Sequence, residues 1–503
     1  MSKDILFIIS DQHSYKVQGN AGNTIIKTPN LDRLAKDGTV MRDCYAACPL
    51  CVPSRLSMLS GQYPSKIHAM DNQAVLDSGI ATFVHAMNAG GYDTTLCGRM
   101  HFIGPDQRHG FTKRLVGDIT PTIFGNEWKN RKGADGLPWN RGRIEQLAIQ
   151  CMGGGDSTVL EFDRDVTEAA ISYLKEEYER PQFLCVGMYA PHFPYIAPKR
   201  LFDDYYERVR LPEESYDAQE HSVLEGKLRD IDPETVRAAM AAYYGMIEFM
   251  DQNIGKIVSA WEQYLKRTGR EGIVIYVSDH GDSNGEHGFY GKNTFFDPAV
   301  HVPMIFQGTG ILKGKEILSP VSLLDLSPTI CDMTEVERPP VQDGISLIEE
   351  ISGEKMRIGE SDGNADLDER VVISELSNRF GAKSIGRMAK WKQYKYVTFS
   401  GFEQADQLFD LKADPFERDN IIQEHSEIVQ KLAGRVKQTM IPAETVIKDL
   451  ELEKANMEII TKCRQESREH WSVRAGMAEE APVPMISTKV EISWGNVKKT
   501  ADK

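Results

Sequence analysis

The sequence predicts an α/β protein with a large, mostly parallel sheet between helices and a smaller C-terminal α+β domain. Short apolar runs alternate with amphipathic helical segments through roughly the first 370 residues. Strands that alternate with helices favour a parallel sheet covered on both faces. Beyond about residue 370 several short strands follow one another before the next helix. This change of pattern indicates the second, smaller unit.

The individual elements are predicted from apolar periodicity and from helix boundary signals. Short apolar runs ending in polar residues are typical of buried strands; they lie at 4–9, 39–45, 92–97, 182–189, 272–277 and 303–306. Helices are predicted at 28–35 and 53–60, the second ended by Gly61. A long helix begins at Asp232-Pro233 and carries apolar residues at three-to-four spacing. The C-terminal domain has predicted strands at 371–375, 388–389 and 394–399, followed by the segment 407–410 and a helix at about 425–440.

These elements predict a catalytic domain at 1–370, a sheet-plus-helix domain at 371–460 and a tail at 461–503. The segment 105–160 is rich in Gly, Arg, Lys and Trp. We interpret it as an insertion at the rim of a pocket. Ligands of such sheets bind at the carboxyl ends of the strands, so that edge is where the functional residues are expected.

Composition narrows the class of partners. The 503 residues carry 59 Lys+Arg and 74 Asp+Glu, a net charge of −15, which argues against a nucleic-acid partner. No apolar run reaches the roughly 18 residues that a membrane span needs, and no signal peptide is visible. Eight cysteines spread over the chain do not form a disulfide scaffold. A cytoplasmic location is therefore expected.

The segment Pro49-Leu50-Cys51-Val52-Pro53-Ser54-Arg55 places a cysteine just before a predicted helix. A helix N-terminus offers free N–H groups and favours an anion. Arg55 adds a planar donor suited to sulfate or phosphate. On these residues alone, a buried structural thiol, a reactive thiolate and a nucleophile all stay open.

Two predicted strands end in residues suited to a cation. Asp11 and Gln12 follow the first strand, and Asp279 and His280 follow the strand at 272–277. Oxygen-rich ligation suits Ca²⁺, Mg²⁺ or Mn²⁺ better than Zn²⁺. The alternative is that each aspartate caps a turn or a helix.

Three further loops after strands carry cationic or titratable side chains: Arg99 with His101, His192, and Lys292. A single such residue is usually a solvated loop residue. Three of them after neighbouring strands are harder to explain in that way.

Taken in order, these motifs resemble the formylglycine-dependent sulfatases of the alkaline phosphatase-like superfamily. The core motif of that family is Cys-x-Pro-x-Arg followed by an apolar helix and Gly, matched here by residues 51–61. The resemblance implies an alkaline phosphatase-like fold and a formylglycine-generating enzyme as partner, which oxidises Cys51 to an aldehyde that hydrates to a gem-diol. One hydroxyl attacks sulfur and expels the alcohol. The second then loses its proton, and the sulfated intermediate collapses to aldehyde and sulfate.

The resemblance also implies roles for the other residues. The metal ligands would be Asp11, Gln12, Asp279 and His280, with Ca²⁺ as the first choice and Mn²⁺ or Mg²⁺ as alternatives. The catalytic set would be Cys51, Arg55, Arg99, His101, His192 and Lys292. Lys292 would contact the sulfate and the leaving oxygen, and His192 is preferred over His101 as the general acid. His13, close to the metal pair, is expected to be incidental or to support it.

Residues 45–125 resemble choline sulfatases locally, and that likeness implies that Asn72 faces the sulfate or the substrate. The combination of Gln12 with His280 resembles the phosphonate monoester hydrolases and the choline sulfatases. A choline cation would need aromatic neighbours; the candidates are Phe124, Trp128, Trp139 and Tyr195.

The predicted function is hydrolysis of a small-molecule or carbohydrate sulfate monoester. The alternatives are a phosphonate monoester hydrolase or phosphodiesterase and a non-catalytic sulfate-binding relative. The family resemblance is compatible with a homo-oligomer.

Overall fold

The computed structural model describes residues 2–120, 151–211, 231–353, 367–377 and 384–466. Within these ranges the strands are β1 (Asp4–Asp11), β2 (Thr39–Met41), β3 (Cys44–Tyr45), β4 (Asp93–Gly98), β5 (Lys113–Arg114), β6 (Met152–Gly154), β7 (Gln182–Pro191), β8 (Tyr195–Ala197), β9 (Gly272–Ser278), β10 (Met304–Gly308), β11 (Lys315–Ile317), β12 (Val321–Ser322), β13 (Val372–Ser377), β14 (Ile385–Trp391), β15 (Tyr394–Phe399) and β16 (Gln407–Asp410).

The α-helices of the same ranges include two that the sequence marks clearly. The second begins at the cysteine motif, and the sixth is the long helix announced by Asp232-Pro233. The full set is α1 (Pro29–Lys36), α2 (Cys51–Ser60), α3 (Phe83–Ala89), α4 (Thr158–Tyr173), α5 (Lys199–Arg208), α6 (Pro233–Thr268), α7 (Asp297–Val300), α8 (Leu326–Thr334), α9 (Ile348–Ser352), α10 (Ser426–Thr439) and α11 (Ala443–Glu466).

The main sheet has the strand order β11-β2-β10-β9-β1-β7-β4-β5. Its central strand β1 pairs in parallel with β7 and β9, and β4 pairs in parallel with β7. Strand β10 is antiparallel to both of its neighbours, β9 and β2. The predicted large, mostly parallel sheet is therefore confirmed.

Helices cover both faces of this sheet, as the continuous apolar strands require. Along β1, Phe7 packs into one apolar core with Leu56 of α2. Its neighbour Ile8 points to the opposite face and packs with Ile247 and Ile254 of α6. Because successive strand residues point to opposite faces, one strand contributes to both cores.

The C-terminal sheet is antiparallel, with the order β13-β14-β15-β16. Leu432 and Val436 of α10 pack against it together with Ala389 and Leu408. The smaller C-terminal α+β unit is confirmed as part of the fold class. The boundaries at residues 370 and 460 stay predictions.

The bounds of several predicted elements differ from the observed ones, most of all for the strand predicted at 388–389, which runs from Ile385 to Trp391. The segment 39–45 is two strands, because β2 pairs within the main sheet and β3 leaves it to pair with β12. The helix predicted at 53–60 begins earlier, at Cys51. None of the helices in the described ranges is both long and apolar enough to cross a bilayer. The cellular location stays a prediction.

Candidate active site

Four neighbouring parallel strands, β9, β1, β7 and β4, deliver side chains to one edge of the sheet. Asp11 is the last residue of β1, and Arg99, His192 and Asp279 directly follow β4, β7 and β9. Because these strands are parallel and adjacent, their carboxyl ends meet. The loops singled out in the sequence therefore converge on one buried site.

Helix α2 brings Cys51 to this edge. Cys51 is the first helical residue rather than the one before it, and Pro53 fits in the first turn because that position needs no N–H. The N–H of Val52 donates to Asn72 Oδ1 at 2.9 Å. Asn72, predicted to contact substrate, thus caps this helix through its oxygen. Gly61 ends the helix with a left-handed φ of 71°.

The sulfur of Cys51 lies among cations. Lys292 Nζ is 2.9 Å from Sγ, and His280 Nε2 is 3.2 Å from it. Burial favours the neutral thiol, but the charges of Lys292 and His280 and a hydrogen bond from His101 outweigh it and hold the pKa of Cys51 well below its usual value. The position stabilises an anionic nucleophile.

Asp11, Cys51, Asp279 and His280 form a fully buried group whose donor atoms lie within 4.8 Å of one another. His280 Nδ1 donates to the carbonyl of Gly281 at 2.9 Å, so Nε2 faces the cluster: in the charged ring it is a donor to Cys51, and in the neutral ring it offers a lone pair to a cation. Two carboxylates, an imidazole and the nearby amide of Gln12 suit a hard or borderline divalent cation.

Gln12 is held in an unusual backbone conformation. Its φ is 74°, in the left-handed region, and its N–H donates to Asp279 Oδ1 at 3.1 Å. The side-chain oxygen accepts from Lys292 Nζ at 2.8 Å. The predicted ligands Asp11, Gln12, Asp279 and His280 are therefore brought together.

Arg55 binds carboxylates of the cluster. Its Nε donates to Asp279 Oδ2 at 2.7 Å and its Nη2 to Asp11 Oδ2 at 3.1 Å. Both carboxylates and the guanidinium are fully buried. Arg55 thus ties together the two acidic strand ends.

Arg99 also donates to Asp11, through Nε, and its guanidinium stacks 4.7 Å from the ring centroid of Tyr189. Its Nη1 donates to Thr120 Oγ1 at 2.8 Å. Burial raises the pKa of the Asp11 carboxyl, but Arg99 and Arg55 outweigh it and hold that pKa well below the usual value. The two arginines keep Asp11 ionised.

The two histidines predicted near the leaving group differ in hydrogen bonding. His101 Nδ1 accepts from Arg99 Nη2 at 3.0 Å, which leaves the proton of the neutral ring on Nε2. His192 Nδ1 donates to the carbonyl of Phe193 at 2.6 Å, which leaves Nε2 as an acceptor. Burial and the charge of Lys292 lower the pKa of His192, which favours its neutral form.

Three buried aspartates of the site were not predicted. Asp118 accepts from the N–H groups of Met100 and His101 at 3.0 and 2.6 Å, and Asp163 of α4 accepts at the end of β7. Asp282 accepts from Gln12. Asp118 and Asp163 carry no motif signal. Asp282, three residues after Asp279, stands within the Asp-His-Gly-Asp run and could have been noticed.

The structure does not support the aromatic residues predicted at the rim as neighbours of a choline cation. Phe124, Trp128 and Trp139 lie outside the described residues. Tyr195 is not a rim residue: it is fully buried, and its hydroxyl donates to Asp282. His13 turns away from the cluster and bonds through Nδ1 to the Tyr276 hydroxyl at 2.7 Å.

Known protein families and relatives have sequences similar to this chain. The profile described as Sulfatase matches residues 3–336, and that of the N-sulphoglucosamine sulphohydrolase C-terminal region matches 285–442. A choline-sulfatase of Rhizobium meliloti (strain 1021) is 30% identical over 96% of this chain and 92% of its own length. Arylsulfatase K of Mus musculus is 26% identical over 86% and 78%.

The crystal structure of phosphonate monoester hydrolase of Agrobacterium radiobacter shares the fold. It superposes with a TM-score of 0.68 at 23% identity and covers 87% of this chain and 95% of its own. The Sulfatase profile matches well over half of the chain, and the choline-sulfatase relative aligns with nearly the full length of the chain. The chain therefore belongs to the sulfatase family, within the alkaline phosphatase-like superfamily.

Proposed function

We propose that this sulfatase hydrolyses a sulfate monoester of a small molecule or carbohydrate, with Cys51 as the nucleophile after its oxidation to formylglycine. The observation that carries the proposal is the position of the Cys51 sulfur. It lies at the N-terminus of α2, with Lys292 Nζ at 2.9 Å and His280 Nε2 at 3.2 Å. An anionic group attacked there would meet positive charge on several sides.

Asp11, Gln12, Asp279 and His280 would hold a divalent cation, with Ca²⁺ first and Mn²⁺ or Mg²⁺ as alternatives. Their oxygen-rich donor set supports this choice. When bound, the cation would lower the pKa of the hydrated aldehyde and polarise a sulfate oxygen.

The cationic side chains divide into two groups. Arg55 and Arg99 pair with Asp11 and Asp279, so they offset carboxylates that would otherwise repel sulfate. Lys292 contacts the sulfur and an amide oxygen, and no carboxylate of the described residues lies within hydrogen-bond distance of its Nζ. Lys292 is therefore the cation best placed to bind the sulfate.

At the leaving oxygen, the family resemblance favours His192 as the general acid, whereas the hydrogen bonds favour His101 as the donor. The neutral His101 ring carries its proton on the nitrogen opposite Arg99, where it can donate a hydrogen bond to the leaving oxygen. The neutral His192 ring has a free acceptor instead, suited to taking a proton from the nucleophile. We propose that His101 stabilises the leaving oxygen as a hydrogen-bond donor and that His192 is the base.

The test is to produce the chain together with a formylglycine-generating enzyme and to measure the intact mass and sulfate release from an aryl sulfate. Expected are the mass change from CH₂–SH to CHO at Cys51 and sulfate release that Cys51→Ala abolishes. A chelator should stop the reaction, and Ca²⁺ or Mn²⁺ should restore it. An unmodified thiol with no turnover would instead indicate the non-catalytic sulfate-binding relative.

A second candidate, a phosphonate monoester hydrolase or phosphodiesterase, is supported by Gln12 and His280 among the proposed ligands. Sulfate monoesters and phosphate diesters are both tetrahedral monoanions, so one site can bind either. Comparing kcat/KM for an aryl sulfate and an aryl phosphate diester separates the two. A large advantage for the diester would replace the first proposal by the second.

A further inference from the structure

Asp282 contacts the proposed cation site without belonging to its ligands. Its carboxylate is buried, with 1% of the residue exposed. Oδ2 accepts from Gln12 Nε2 at 2.5 Å and from the Tyr195 hydroxyl. Oδ1 accepts from the N–H groups of Asn284 and Gly291 at 2.7 and 2.9 Å. Because all four partners are donors, this carboxylate serves as an acceptor only.

The orientation of the Gln12 amide depends on this carboxylate. A side-chain amide can turn either its oxygen or its NH₂ group towards a site. With Nε2 donating to Asp282, Oε1 faces Lys292 Nζ at 2.8 Å. The backbone of Gln12 is fixed separately, since its carbonyl accepts from the Tyr243 hydroxyl at 2.7 Å. The side-chain amide could still rotate, and its hydrogen bond to Asp282 prevents that rotation.

We propose that Asp282 is a positioning residue that keeps the oxygen of Gln12 turned towards the cation and Lys292. An inverted amide would point N–H groups at two positive charges, which is unfavourable. Asp282 also fixes the backbone N–H of Gly291, the residue before Lys292. This inference rests on the proposed cation site. It adds the carboxylate that orients the neutral Gln12 amide so that its oxygen can serve as a ligand.

Two substitutions test the pairing through its direction. Asp282→Asn places an NH₂ group against the NH₂ of Gln12, so the Gln12 amide should turn over. Gln12→Glu places a carboxylate of nearly the same shape against Asp282. Combining Gln12→Glu with Asp282→Asn restores one hydrogen bond with donor and acceptor exchanged. The damage done by Asp282→Asn should therefore depend on which residue stands at position 12.

The readout is the dissociation constant for Ca²⁺ and for Mn²⁺, measured by titration calorimetry on the full chain. With Gln12 present, Asp282→Asn should weaken binding by about tenfold to a hundredfold. With Gln12→Glu present, the same change should alter binding by no more than about twofold. Equal factors in both backgrounds overturn the inference while leaving the cation site intact. A wild-type chain that binds neither ion overturns the cation site itself.

Asp251→Asn is the matched control for general destabilisation. Asp251 is also a fully buried aspartate, and it accepts from the Leu31 N–H at 2.9 Å and from Asn30 Nδ2 at 2.8 Å, both in α1. This change should lower the melting temperature and leave the dissociation constants unchanged. If it weakens cation binding as much as Asp282→Asn does, the role of Asp282 is structural and the inference is wrong.

Discussion

At the scale of single residues, the histidines beside Cys51 are distinguished by the partner of Nδ1. For His101 the partner is a guanidinium donor, and for His192 it is a carbonyl acceptor. Which ring nitrogen carries the proton follows from that partner, because a neutral imidazole has one donor and one acceptor. The two rings are therefore suited to different roles: His101 to donate a hydrogen bond and His192 to accept a proton.

This difference predicts how the two histidines respond to the leaving group. His101→Ala should lower kcat by about 10²–10³-fold for aryl sulfates of weakly acidic phenols, whose leaving oxygen carries the most negative charge, and far less for acidic phenols. His192→Ala should lower kcat by a similar factor along the series. The measurement is log kcat against phenol pKa for each variant. A steeper slope for His192→Ala would show instead that His192 is the group that assists the leaving oxygen.

How much of the site follows from sequence also depends on the residue. Asp11, Asp279, His192 and Arg99 were predictable because each ends or directly follows a strand of a parallel sheet. The partners of Arg55 were not, since its spacing after Cys51 shows a cation but not the two aspartates that it joins. Such contacts arise only when separate strands are brought together by folding.

At the scale of elements, the N-terminus of α2 depends on a side chain from a distant loop. Leu50 precedes the helix and has no side-chain hydrogen bond to offer, while Asn72 accepts from the Val52 N–H. An exposed helix end can use water instead, but Val52 is fully buried. Asn72 therefore stabilises the element that presents Cys51.

Asn72→Ala should lower the free energy of unfolding by about 1 kcal/mol, because the Val52 N–H loses its acceptor. Asn72→Asp keeps an oxygen at this position and should retain most of the stability. Urea denaturation of both variants measures the difference. Equal losses for Ala and Asp would show that capping is not the contribution of Asn72 to stability.

Helix α4 contributes a pH-dependent contact to the same edge of the sheet. Asp163 accepts from the N–H groups of Tyr189 and Ala190 at 2.7 and 2.9 Å, just before His192. Burial raises the pKa of Asp163 from 3.8 to about 7 in spite of these bonds. Between about pH 4 and about pH 7, the folded chain therefore holds a proton on Asp163 that the unfolded chain has lost.

It follows that the contribution of Asp163 to stability falls as pH rises from about 4 to about 7 and is constant above that. Asp163→Asn does not titrate. The unfolding free energy of the wild type minus that of Asp163→Asn should thus decrease across this range. Urea denaturation at several pH values measures it, and a difference that stays flat or increases would contradict the raised pKa.

At the scale of the whole molecule, a buried ion cluster joins the C-terminal sheet to the segment after Lys292. Lys395 of β15 is fully buried; its Nζ donates to Asp297 Oδ1 at 2.7 Å and to the Phe295 carbonyl at 2.8 Å, and it pairs with Glu417. The sequence predicts both sheets but not this ion cluster, because nothing in the sequence of β15 distinguishes Lys395 from a solvent-exposed lysine of an ordinary strand. The second sheet thereby supports the loop that carries Lys292.

Lys395→Met should lower the free energy of unfolding by about 3–5 kcal/mol, because it leaves Asp297 and Glu417 buried together without their cation. Adding Glu417→Gln should recover part of that loss, since one of the two negative charges is then removed. Lys392→Met, at an exposed lysine of the neighbouring turn, is the control and should change stability by no more than about 1 kcal/mol. Urea denaturation of the four proteins measures these differences. A double variant that is less stable than Lys395→Met alone would show that Asp297 and Glu417 do not repel each other. The ion cluster would then not be the contact that joins the C-terminal sheet to the site.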